Sequence, residues 1–159
     1  MLDKFEWPKV EDEADETVIR NVRKHGCHIV GIWDGEPPYV FSVGLFLNYH
    51  QPEIVIFGLD GHDSAAIIND VRDRAAKGQR YAAGDVSDEL LVGYRACFVD
   101  VPLQRYDEYL GTAIWFYYKS PRPFPCLQMV WPDRDGRFPW DTKFDPLLKS
   151  RQPLLSSFS

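Results

Sequence analysis

Apolar positions along the chain fall into short runs separated by turn-forming residues. Residues 27–33 (CHIVGIW) and 39–46 (YVFSVGLF) are rich in β-branched and aromatic side chains. The Asp34-Gly35-Glu36-Pro37-Pro38 stretch between them cannot continue a strand, so the pattern predicts a hairpin. In the second run, alternation places Tyr39, Phe41, Val43 and Leu45 on one face and Val40, Ser42, Gly44 and Phe46 on the other. Residues 53–59 (EIVIFGL) are almost continuously apolar, the pattern of a strand covered on both faces and central in its sheet. Residues 92–101 (VGYRACFVDV) and 126–131 (CLQMVW) complete five strands. Gly31 and Gly44 interrupt otherwise strong strands and mark a bulge or a close approach by another group.

Helical spacing appears in three places. Acidic residues around Ala14 lead into TVIRNVRKHG; Ala14, Val18 and Val22 form an apolar stripe, basic residues fill the last turn and Gly26 stops the helix. Asp60 and its neighbours cap a second helix, with Ile67, Ile68, Val71 and Ala75 on one face and Gly78 at its end. Residues 103–119 predict a third, with Leu103, Tyr106, Leu110, Ala113, Ile114 and Tyr117 in register and Gly111 weakening its interior. Its aromatic end, Trp115 to Tyr118, must cover something besides the sheet, and the C-terminal segment is a candidate. Residues 79–91 read as a polar loop with one short helical turn, and 120–125 as a stiff proline connector. The expected architecture is α+β: a single domain with about five strands, a largely antiparallel sheet, and three helices mainly on one face. Residues 1–10 form an N-terminal extension, 11–141 the domain, and 142–159 a tail with apolar anchors at Leu147, Leu148, Leu154 and Leu155 that either lies across the domain or frays at its end.

Composition narrows the function classes. With 159 residues, 45% of them hydrophobic, the chain suits one core. The balance of 18 Lys and Arg against 24 Asp and Glu gives −6, which argues against nucleic acid as a partner. No apolar run is long enough to span a membrane and the N-terminus is acidic rather than signal-like, so a cytoplasmic location away from membranes is expected. Cys27, Cys97 and Cys126 form no CxxC pair and read as buried small hydrophobes. His25, His28, His50 and His62 lack metal-ligand spacing, so neither a metal nor a cofactor is expected.

Candidate chemistry centres on the loop between the second and third strands. His50 and Glu53 lie three residues apart, close enough for acid–base work, although a structural hydrogen bond is the commoner outcome of such a pair. In an enzymatic, hydrolase-like reading His50 is general base, Glu53 or Asp133 orients it, Ser42 binds or attacks, and Trp131 and Trp140 wall the substrate. Against this, Ser42 lies within a strand rather than on a G-x-S-x-G elbow. The competing reading is a protein-binding domain, immunity- or antitoxin-like, whose acidic residues Glu11, Asp12, Glu13, Asp15 and Glu16 meet a basic toxin or enzyme and whose Trp131 and Trp140 contact it. The acidic cluster also suits a helix dipole without any partner. A homodimer through the aromatic end of the third helix stays open.

Several short blocks occur in a recognisable order: Gly26 to Gly31 (GCHIVG), Phe41 to Leu45 (FSVGL), His50 with Pro52-Glu53, Leu127-Gln128 through Trp131-Pro132-Asp133, and Gly136 to Asp141 (GRFPWD). In these the chain resembles the domain-of-unknown-function family 4262, over roughly residues 10 to 141. Two departures stand out: Cys27 occupies a usual Trp position, and Gln51 intervenes between His50 and Pro52. The resemblance implies an intracellular bacterial α+β domain. It leaves the activity open, although the blocks coincide with the candidate residues.

Overall fold

A computed structural model of the chain describes residue 2 and residues 4–156. Six strands form one sheet: β1 (His28–Ile32), β2 (Tyr39–Val43), β3 (Glu53–Phe57), β4 (Val86–Leu91), β5 (Tyr94–Asp100) and β6 (Cys126–Val130), in the order β1-β2-β3-β6-β5-β4. Every neighbouring pair is antiparallel except β3 and β6, which run parallel with Glu53 opposite Cys126, so the sheet is mixed. The predicted hairpin is present, with Ile32 opposite Tyr39, and β3 lies near the middle as its apolar run required. The additional strand is β4, within the stretch expected to be a polar loop. As an edge strand it pairs only with β5, its register shifts between Ser87 and Leu91, and it buries little, so no alternation marks it in sequence.

Five helices accompany the sheet among the described residues: α1 (Glu13–His25), α2 (Leu45–Tyr49), α3 (Gly61–Ala76), α4 (Tyr106–Tyr109) and α5 (Gly111–Tyr117). The single helix expected over 103–119 is broken. A 3-10 turn at Leu103–Arg105 leads into α4, and Leu110, at φ −116° and ψ 37°, separates α4 from α5. The short helix α2 replaces the end of the second predicted strand.

Alternation in the central strands divides the core. Phe41, Val43, Val55 and Phe57 meet Val18 and Val22 of α1, Tyr106 of α4, and Ala113, Phe116 and Tyr117 of α5. Val40, Ile54, Ile56, Leu127 and Met129 meet Ile67, Ile68 and Val71 of α3 on the opposite face. Thus α1, α4 and α5 share one face and α3 covers the other, which is why β3 is apolar throughout. In α1 the stripe narrows to Val18 and Val22, because Ala14 is exposed.

Described segments near both termini close the fold. The aromatic end of α5 is covered from the N-terminal side, where Phe5 stacks on Phe116 at 5.3 Å and Trp7 meets the same ring edge-on at 5.7 Å. From the expected tail, Leu155 enters that core, while Gln152 donates to the Trp131 carbonyl and accepts from its N–H, as a neighbouring strand would. The fraying expected of the last residues concerns 157–159, outside the described residues. The three cysteines are free and buried, and burial pushes the Cys27 thiol up to about 12, so it behaves as a small hydrophobe. No helix among the described residues is long and apolar enough to cross a membrane.

Candidate functional site

Glu53 opens β3 and is fully buried, an unusual place for a carboxylate. The chain supplies its partners by leaving β2 abruptly. Gly44 takes φ +103°, a backbone that L side chains rarely adopt, and a Cβ there would lie 2.8 Å from Cγ1 of Val22. That turn starts α2 and converges its free N–H groups on the carboxylate. Gly44 N donates to Oε2 at 3.0 Å, Leu45 N to Oε1 at 3.2 Å and Phe46 N to Oε2 at 3.2 Å. Ser42 Oγ donates to Oε1 at 2.7 Å and accepts from Ile54 N at 2.9 Å, standing in for a ladder bond between β2 and β3. From across the core, Tyr117 donates its hydroxyl to Oε2 at 2.5 Å and accepts from Leu47 N at 3.1 Å.

Five donors thus surround one carboxylate. Desolvation outweighs them: burial pushes the Glu53 carboxyl up to about 7, although Tyr117, Ser42 and the amides of Phe46 and Gly44 pull it down. Burial, reinforced by Glu53, also raises the Tyr117 hydroxyl well above its ordinary value. Chemically the arrangement is a latch. It ties β2, α2, β3 and α5 together and leaves no oxygen turned to solvent.

Of the candidate catalytic set, the structure brings Ser42 and Glu53 together and does not bring His50 or Asp133 to them. His50 ends α2 in the left-handed region, at φ 57°, with its N–H on the Phe46 carbonyl, and its side chain is exposed. The intervening Gln51 is buried and binds the Tyr81 backbone, accepting from its N–H at 2.8 Å and donating to its carbonyl at 3.3 Å. Because β3 and β6 are parallel with Glu53 beside Cys126, Asp133 lies past the far end of the sheet, seven residues on and roughly 20 Å away.

Asp133 organises a loop there. Its Oδ1 accepts from Asp135 N at 3.0 Å and Arg137 N at 2.9 Å, and its Oδ2 from Asp145 N at 3.1 Å. Desolvation works upward on this carboxyl, but the three amides and the Arg137 charge prevail and hold it below the usual value. Replacing Asp133 by Ala should therefore release residues 133–148 while the sheet persists. Amide exchange should accelerate at Asp135, Arg137 and Asp145 and stay unchanged in β3; unchanged exchange in the loop would refute the role.

The two tryptophans expected to act together part company. Trp131 is 6% exposed and donates Nε1–H to the Phe57 carbonyl at 2.7 Å, so it belongs to the core. Trp140 is 53% exposed and stacks on Phe138, with ring centroids 5.0 Å apart. In the acidic cluster, Asp12 caps α1 by accepting from Asp15 N at 2.8 Å, and Asp15 accepts from Glu11 N at 3.0 Å. Glu13 and Glu16 stand exposed in the first turn. No three His, Cys, Asp or Glu side chains among the described residues are grouped to hold a metal ion. Sequence reasoning missed Tyr117, which lies 64 residues from Glu53 within an aromatic run that carries no sign of this contact.

Residues 21–145 match the family described as Domain of unknown function (DUF4262). No curated protein and no solved structure matches the chain.

Proposed function

Since that match spans most of the chain, the chain belongs to the DUF4262 family, and from this premise we propose that it works by binding another protein rather than by turning over a substrate. One observation carries the reading: the loop anchored by Asp133 presents Trp140, 53% exposed, and Leu147, 81% exposed. A few residues supply most of the energy at protein interfaces, and tryptophan is among the most frequent of them. The sealed state of Glu53 and Ser42 supports the same reading, because a group without access to solvent has no route to a substrate. The net charge of −6 and the exposed Glu13 and Glu16 suit a basic partner steered in by charge. The form we propose is immunity- or antitoxin-like, covering the working surface of a toxin or enzyme in the bacterial cytoplasm.

Native mass spectrometry of the tagged chain, isolated gently from its host, tests this. The expected result is a stoichiometric second protein that dissociates more readily as salt rises. Trp140→Ala should weaken the complex by about tenfold or more with the circular dichroism spectrum unchanged. Isolation with a retained small molecule that the protein converts, and with no second protein, would overturn the proposal.

A further inference from the structure

The sheet has two edges, and they are built differently. β4 carries Asp88 and Glu89 and has an irregular register with β5, features that discourage the addition of another strand. β1 has neither protection. All five of its residues pair regularly with β2, and none is a proline, lysine or carboxylate. Its one titratable residue, His28, is held below the usual imidazole value by burial. Outside that ladder, no N–H or carbonyl of residues 28–32 bonds to the backbone of another described residue.

The two ends of this edge are complementary to each other. At the start of β1 an open cleft of about 400 Å³ is lined by Asn21, His25, Cys27, His28, Asn69 and Arg72. Asn21 fixes the imidazole through a 2.9 Å contact with His28 Nδ1, and Arg72 donates to Asn69 Oδ1 at 3.0 Å and to Asp73. No carboxylate lines the cleft. Past the other end, Trp33 is 63% exposed. Its ring lies so close to Gly31 and Gly61 that a Cβ on either would approach to 2.2 and 2.3 Å, which holds it on the α3 side of the sheet. Asn69 and Arg72 belong to the same helix. Asp34 and Glu36 follow Trp33, exposed and without an ion pair among the described residues.

A two-fold axis perpendicular to the sheet, midway between the Val30 residues of two copies, sets two β1 strands antiparallel and keeps the α3 faces of both copies on one side. With Val30 opposite itself, His28 faces Ile32, which brings the Trp33-Asp34 turn of each copy next to the other copy's Gly26 and Cys27. Each Trp33 then arrives over the other copy's cleft, where the Arg72 guanidinium can meet its ring. Each Asp34 arrives beside the other copy's His25. We infer that a second copy of this chain occupies the β1 edge, joining the two sheets into one, with each Trp33 seated in the other copy's cleft. This interface is separate from the Trp140 loop and does not depend on that loop's having a partner.

Sedimentation equilibrium on the full chain tests the assignment. The expected species has twice the 18.4 kDa chain mass. Trp33→Ala should raise the dissociation constant by about tenfold or more, and Asp34→Lys should raise it by a smaller factor. Both side chains are exposed, so the fold should survive. Val30→Cys should form an interchain disulfide under mild oxidation, whereas the parent chain, whose three cysteines are buried, should form none. A chain that stays monomeric up to roughly 0.5 mM would overturn the inference. So would a dimer whose affinity ignores Trp33→Ala and Asp34→Lys, since its interface lies elsewhere. A second protein recovered from the host bears on the preceding proposal alone, so the two fail separately.

Discussion

Replacing Glu53 by alanine is expected to remove a large share of the folding stability. The substitution leaves the N–H groups of Gly44, Leu45 and Phe46 and the hydroxyls of Ser42 and Tyr117 without their shared acceptor, in a place closed to solvent. Each buried donor left unsatisfied costs about 1–3 kcal/mol, and the vacated side-chain volume adds to this. Some donors will relax toward one another. A loss of about 4–5 kcal/mol is therefore expected, against a total of roughly 5–15 kcal/mol for a domain. Urea unfolding followed by circular dichroism measures it. Glu53→Gln keeps the volume and one acceptor oxygen and should lose less. If Glu53→Ala unfolds within about 1 kcal/mol of the parent, the carboxylate is not what secures α2 to the sheet.

The same residue should make stability depend on pH in the direction opposite to a salt-bridged carboxylate. The Glu53 carboxyl lies at about 7 in the folded chain and near 4.5 when unfolded, so the native state holds its proton more tightly. Its contribution is complete below about 4.5 and disappears as pH rises through about 7, a change of roughly 3 kcal/mol. The neighbouring Tyr117 and Cys126 are both pushed up and stay neutral over this window. His28 is depressed by burial and acts in the other direction, losing stability toward acid, but it does so equally in Glu53→Gln. The difference in stability between the parent and Glu53→Gln, measured from pH 4.5 to 8, should therefore fall with pH. A difference that stays flat would show that Glu53 does not titrate there.

The family-like blocks acquire physical meaning from these contacts. Ser42, Gly44 and Glu53 are three parts of one latch. Gln128 donates to the Pro153 carbonyl and accepts from Leu155 N, tying β6 to the end of the chain, while Trp131 joins β6 to β3 and Asp133 braces the next loop. Residues in such blocks look catalytic in sequence because they are polar and closely spaced. Here most of them satisfy backbone groups that the turns would otherwise leave unpaired. Ser42 and Glu53, which the sequence offers as members of one candidate pocket, meet in the fold through a direct hydrogen bond that ties β2 to β3. His50 lies between them in sequence, at the end of α2, but the tight turn there leaves its side chain exposed.

Local pattern alone determined a good part of this protein: the hairpin of β1 and β2, the central position of β3, the strand at β6, and the helices α1 and α3 with their caps. Each of these depends on neighbours in sequence, on alternation, on helical spacing, or on Gly26 and Asp60 at helix ends. Tertiary structure decided the rest. The pairing of β4 follows from the available edge of β5, the break at Leu110 from packing α4 and α5 separately against the sheet, and the placement of α3 alone on one face from the path after β3. The burial of Glu53 under Tyr117, and the meeting of Trp33 with Gly61, join residues far apart along the chain. Such contacts leave no periodic trace, because their energy comes from desolvation and hydrogen bonding that exist only once the separate elements have closed around them.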